Sequence, residues 1–169
     1  YKGTNPILCR EPMKIGRSVA TTGTIPSQHL LGGITHEQAM AINVKNRGIV
    51  LILGCGHQSV TRLIERAEAL FEEPIYGVIG GLHYPLKTSR LYMYGVDVAR
   101  YLGTGKLPWK PIALDDVTRD ISLLVKHNLG IVSLSPHDSA DESIEAFRSA
   151  FPAAYVDLTV GGLITITHR

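Results

Sequence analysis

The sequence predicts an α+β domain of α/β-like character, a mixed β-sheet with flanking helices. Three observations predict it. Aliphatic runs at residues 49–53, 75–79 and 131–134 are short enough to be buried strands. Between them, residues 59–72 and 116–127 repeat apolar side chains at helical spacing. A chain of 169 residues that is 44% hydrophobic and 19% charged can close one core around such elements. It is therefore read as a single domain over residues 1–169.

The elements follow in order. Up to Gly33, prolines 6, 12 and 26 and repeated glycines break the chain into short β-like pieces, such as residues 18–22. Met40, Ile42 and Val44 then alternate with smaller or polar residues, Lys45-Asn46-Arg47-Gly48 supplies a turn, and residues 49–53 complete a hairpin. Ser59 is placed to cap a helix whose stripe is Val60, Leu63, Ile64, Ala67, Leu70 and Phe71, and Pro74 stops it. Strand 75–79 closes on Gly80-Gly81-Leu82-His83. An insertion over 84–111 has weak periodicity, with a helix expected over 91–102 before Gly103-Thr104-Gly105. Val117, Ile121, Leu124 and Val125 share a face of the next helix, and Gly130 ends it. Strand 131–134 leads to Ser135-Pro136-His137. Ser139 and Glu142 have capping-box spacing before a helix over 140–150, and strands are expected at 155–158 and 163–167.

Several function classes drop out. Lys+Arg 17 against Asp+Glu 15 leaves a net charge of +2, too balanced for electrostatic grip on nucleic acid. The longest wholly aliphatic run is residues 49–53, far short of the roughly 20 apolar residues of a membrane helix. Cys9 and Cys55 are too few for a disulfide framework. The start at Tyr1, with no signal pattern, fits a processed product or a fragment. A cytoplasmic location is expected, any signal preceding Tyr1.

The informative feature is placement. His57, His83 and His137 each stand three or four residues beyond a predicted strand. Ligands of α/β sheets gather beyond the carboxyl ends of strands, where loops converge. Imidazole is the commonest protein ligand of transition metals, and a catalytic zinc takes three protein ligands plus water. Any one loop histidine alone reads as a surface residue; three at matched positions read as a metal site. His29, His36, His127 and His168 read as surface, turn or helix-end residues.

Other signals compete. Gly54-Cys55-Gly56-His57-Gln58-Ser59 imitates a dinucleotide fingerprint between strand and helix, but its third glycine is Ser59. Gly103-Thr104-Gly105-Lys106 lacks the upstream glycine and the Ser/Thr of a phosphate loop and reads as a turn. Cys55 reads as a small buried residue before a soft ligand or reactive thiol. Asp138 suits a helix N-cap at least as well as coordination. Lys87 and Arg90, in the insertion after His83, are candidates to hold an anionic substrate group or merely to solvate a loop. Tyr92, Tyr94, Tyr101 and Trp109 read as core cover before pocket lining.

The strings Gly48-Ile49-Val50-Leu51-Ile52-Leu53-Gly54-Cys55-Gly56-His57, Ile75-Tyr76-Gly77-Val78-Ile79-Gly80-Gly81-Leu82-His83 and Ser135-Pro136-His137 closely resemble the second half of metallo-β-lactamase-fold proteins. The nearest resemblance is to the metal-dependent hydrolases related to the synthase that joins dihydropterin to ribofuranosylaminobenzene phosphate. It runs from about His36 to the C-terminus. It implies the C-terminal half of an αββα sandwich, because the signature H-x-H-x-D-H of the N-terminal half occurs nowhere here. It implies His57 as the ligand completing a first metal site and His137 as the late histidine of a second. His83 falls where the wider superfamily places a bridging aspartate. The implied activity is hydrolysis of a phosphoester or related ester or amide by metal-activated water. The implied cofactor is a divalent transition metal, zinc before manganese or iron, with up to two ions in a complete site. The implied partners are a small-molecule substrate of phosphorylated type and a cover for the apolar sheet face: the absent N-terminal half, another subunit or a second copy. Two alternatives stay open: a Rossmann-like nucleotide-binding module using residues 54–59, and a non-catalytic interaction domain that keeps the fold.

Overall fold

A computed structural model of the chain describes residues 3–29, 33–86, 92–101 and 103–167. Met13–Gly16 (β1) and Val19–Thr21 (β2) form an antiparallel pair at one sheet edge. Ile25–His29 (β3) and Gly33–Glu37 (β4) make a separate antiparallel ribbon. Ala39–Val44 (β5) pairs with β2 and turns back into Gly48–Leu53 (β6), the hairpin expected from the turn residues.

From β6 the connections change character. The helix Val60–Leu70 (α1) crosses over to Ile75–Gly80 (β7), which lies parallel to β6. After a small hairpin, Tyr92–Met93 (β8) with Val96–Asp97 (β9), the helix Leu114–Val125 (α2) leads to Ile131–Leu134 (β10), parallel to β7. Asp141–Ala150 (α3) follows. The sheet order is β1-β2-β5-β6-β7-β10, so an antiparallel half continues into a parallel half. The fold is α+β, with a six-stranded mixed sheet and three helices among the described residues.

Register separates the two faces. Ala41, Leu51, Val78 and Val132 stand in one cross-strand row, all buried in the main core with Leu63, Ile64, Val117, Leu124 and Phe147 of the helices. The next row, Met40, Ile52, Ile79 and Ser133, points to the opposite face. On that face Met40 is 39% exposed and Ile52 and Ile79 are half-buried, while Ser133 is buried. The helices thus cover one face more fully than the other. Among the described residues, no helix is long and apolar enough to cross a membrane.

Four expectations need correction. Residues 92–97 form the β8–β9 hairpin rather than part of a helix over 91–102. Tyr94 and Gly95 both take positive φ, 51° and 78°, which is the turn such a hairpin requires. Leu91 and Leu102 lie outside the described residues. Ser139 is not a helix cap: Ala140 holds that position, and the buried Ser139 hydroxyl accepts a long bond (3.4 Å) from the Tyr84 N–H. Ser59 does precede α1, but at φ 68° and without a side-chain capping bond. Of the two terminal strands only an isolated parallel bridge, Tyr155 to Val132, is present among the described residues.

Candidate functional site

Parallel pairing of β6 and β7, with Ile52 opposite Ile79, sends their following loops out side by side. His57 and His83 are brought together, their ring centroids 4.3 Å apart and their planes tilted by 51°. His83 itself sits at φ 51°, a left-handed conformation that non-glycine residues adopt at some cost and that clusters at functional sites. The insertion closes over the pair with Gly103. The Nε2 atoms of both histidines lie within 2.8 Å of the point where a Cβ on Gly103 would stand. A side chain there would have to push the imidazoles aside.

Glu37, the last residue of β4, fixes His57. Its Oε2 accepts hydrogen bonds from the backbone N–H groups of Gly56 and His57, both at 2.9 Å. Its Oε1 pairs with His57 Nδ1. Burial alone would raise the Glu37 carboxyl, but these bonds and the imidazole charge hold it below its ordinary value. The Glu37 bond in turn raises His57, against burial that lowers it. With Nδ1 committed to the carboxylate, Nε2 is the ring nitrogen left for a ligand, the arrangement common around histidine-bound metals. The sequence reading gave Glu37 no role in the site. The signal was the hairpin register: counting two residues outward from the Ala39–Leu53 pair sets Glu37 opposite Cys55.

His137 stands apart from the pair. It is exposed at the end of β10, its N–H bonded to Ser135 Oγ at 3.2 Å. Among the described residues no three His, Cys, Asp or Glu side chains are close enough to hold one metal ion together. Lys87 and Arg90, and His168, lie outside the described residues. His36 is exposed and His127 approaches Glu68 at 4.0 Å. His29 is not a surface residue: it is 6% exposed, its Nε2 lies 2.9 Å from Thr35 Oγ1, and its ring centroid is 5.8 Å from that of His57. Burial first, then the charge of His57, lowers its pKa.

Cys9 and Cys55 are free thiols. Burial and the carboxylates of Asp138 and Glu37 push the Cys55 thiol up, which argues against a reactive thiolate. Asp138, one residue beyond His137, has both carboxylate oxygens buried. Burial pushes its carboxyl up to about 6, against the charges of His137 and His57.

A cavity of about 80 Å³ adjoins the two histidines, walled by Ser59, Thr104, Lys106, Asp116 and Arg119. Asp116 Oδ1 receives Lys106 Nζ at 2.7 Å and Arg119 Nη1 at 3.0 Å. Beneath them, the buried Tyr84 hydroxyl donates to Asp120 Oδ2 at 2.9 Å. Gly103-Thr104-Gly105, read from the sequence as a turn, is a bend that borders the site, and Lys106 after it is paired with Asp116.

No family profile matches the sequence, and no curated protein is similar to it. Among solved structures, Tm1679, a metal-dependent hydrolase of the β-lactamase superfamily, matches with a TM-score of 0.63 over 96% of this chain, at 18% identity. The fold is metallo-β-lactamase-like. This metallo-β-lactamase-like chain spans 58% of the length of Tm1679.

The dinucleotide reading of residues 54–59 loses its physical basis. A phosphate there would need open backbone donors. The N–H groups of Gly56 and His57 are held by Glu37, and that of Ser59 bonds to the Gly56 carbonyl at 3.2 Å.

Proposed function

We propose that this chain is the C-terminal half of a metal-dependent hydrolase and supplies His57 and His83 to a divalent metal centre, with His137, which stands apart from the pair, serving a second ion. The observation that carries the reading is the His57–His83 pair, with His57 held through Nδ1 by Glu37 and both Nε2 atoms turned toward the side-chain-free Gly103. Two imidazoles fit zinc first, manganese or iron second. They are an incomplete set, which agrees with a chain that spans 58% of Tm1679. The remaining ligands would come from the half that H-x-H-x-D-H would mark.

A bound ion would polarise a substrate oxygen and lower the pKa of water toward neutrality. This chain's own part is positional. Glu37 fixes the His57 ring and its backbone. The insertion, through Gly103 and Lys106, borders the substrate side, and a phosphoester is the substrate class proposed. Lys87 and Arg90 remain candidates for its anionic group. The partly open sheet row of Met40, Ile52 and Ile79 is where the N-terminal half would pack. Cytoplasmic location remains part of the proposal.

The test is hydrolysis of an aryl phosphate by the complete protein with added Zn²⁺, compared with His57→Ala and His83→Ala. Loss of turnover in both variants, each still folded, supports the reading. Undiminished turnover in either contradicts it.

A further inference from the structure

His83 holds its left-handed backbone, φ 51°, beside a second imidazole. A non-glycine residue keeps such a conformation only where its surroundings over-determine it. The next residue supplies that constraint. Tyr84 is 3% exposed, and each of its polar groups is bonded. Its hydroxyl donates to Asp120 Oδ2 of α2 at 2.9 Å. Its carbonyl accepts from the Ala140 N–H and from the Ser143 hydroxyl, both at 3.0 Å. Its N–H reaches Ser139 Oγ at 3.4 Å. Its ring packs on Phe147 of α3, with centroids 5.6 Å apart.

These contacts anchor one residue at both ends. Asp120 holds the tip of the side chain to α2, while Ala140 and Ser143 hold the backbone to the start of α3. All three partners are buried, so none of them trades its bond freely for water. Two features tie this anchor to the site rather than to the core alone. Tyr84 and Asp120 line the same cavity as His57 and His83. Ala140 stands three residues beyond His137, so the Tyr84 carbonyl also joins the loop of His83 to the loop of His137.

We propose that Tyr84 is the positioning residue of His83, as Glu37 is of His57: its bonds to Asp120, Ala140 and Ser143 hold the His83 imidazole against that of His57. The consequence for metal affinity rests on the reading of His83 as a ligand. The placement of the ring does not, being a property of the metal-free chain.

The experiment compares wild type, Tyr84→Phe, Asp120→Ala, Asp120→Asn and the double variant Tyr84→Phe/Asp120→Ala in the complete protein. Leu63→Ala, a core truncation in α1 that removes none of these bonds, controls for lost stability. Two quantities are read: Zn²⁺ affinity against a chromogenic chelator, and the nuclear Overhauser contact between the His57 and His83 rings without metal. Tyr84→Phe and Asp120→Ala should each weaken Zn²⁺ about tenfold and weaken the ring contact, with the double variant no worse than either. Asp120→Asn, which keeps an acceptor oxygen, should stay near wild type, as should Leu63→Ala despite its lower unfolding midpoint. A Tyr84→Phe protein that loses stability but keeps the wild-type ring contact overturns the proposal, because Tyr84 then serves the core alone. A wild type that binds no Zn²⁺ contradicts the hydrolase reading, and the ring contact then decides the placement by itself. Should Tyr84→Phe fail to fold, Asp120→Ala against Asp120→Asn decides, and equal ring contacts in those two overturn the proposal.

Discussion

The carboxylate of Glu37 holds His57 twice, by Oε1 at the ring and by Oε2 at the backbone. One side chain from the β3–β4 ribbon thereby sets both the path of the loop after β6 and the direction in which His57 Nε2 can face. Replacing Glu37 by Ala should lower metal affinity by about 10–100-fold, the range for a group that orients a metal-bound histidine. It should also cost about 1–3 kcal/mol of stability, because the N–H groups of Gly56 and His57 lose their acceptor. Glu37→Gln, which keeps an amide oxygen as acceptor, should recover part of the stability. Metal titration and denaturant unfolding of the three proteins check both effects. Unchanged metal affinity in Glu37→Ala would show that the carboxylate serves the loop alone.

Gly103 is the second positional device. A Cβ there would run into His57 Cδ2, His57 Nε2 and His83 Nε2, and the residue takes φ 75°. Gly103→Ala should displace the imidazole pair and add about 1 kcal/mol of backbone strain. The readout is the NMR signals of the two imidazoles together with metal affinity. Both should shift, and an alanine variant with unmoved imidazole signals would contradict the geometry.

The charges beside the cavity give a pH test of known sign. Burial would raise Asp116, but its bonds to Lys106, Ala113 and Arg119 hold it below 3.8. Its contribution to stability is then present above pH 3.8 and lost as pH falls through the lowered value. Burial raises Asp120 above 3.8, so its contribution runs the other way, present at low pH and lost as pH rises through the raised value. Asp116→Asn should therefore be less stable than wild type at pH 7, by on the order of 1 kcal/mol for these partly exposed partners, with the gap closing in acid. Asp120→Asn should gain on wild type as pH rises from acid to neutral. Urea midpoints across that range decide it, and the opposite ordering would contradict the electrostatics.

Much of the fold was legible because local signals and burial agreed. The stripe Val60, Leu63, Ile64 and Ala67 is the face α1 buries. The runs that became β6, β7 and β10 are buried along most of their length in the parallel half of the sheet, so their aliphatic continuity was informative. His57 and His83 followed from strand ends for the same reason. The rest depended on contacts distant in sequence. Glu37 reaches His57 across 20 residues, visible only through the register of β5 and β6. His29 reads as a surface residue until the β3–β4 ribbon folds against α1 and buries it. Around Tyr94-Gly95, apolar residues at loosely helical spacing outweighed a turn signal that the hairpin in fact uses. Ser139 carries a good cap sequence but is drawn into the core beside Tyr84, so Ala140 caps instead.

The central claim is that the His57–His83 pair belongs to a metal centre. The most direct measurement is transition-metal content per chain, by elemental analysis of untagged protein purified without chelator, for wild type, His57→Ala and His83→Ala. The prediction is about one equivalent or more of zinc-type metal in wild type and a loss of most of it in each variant. A folded wild type without transition metal, or variants that keep the wild-type content, would contradict it.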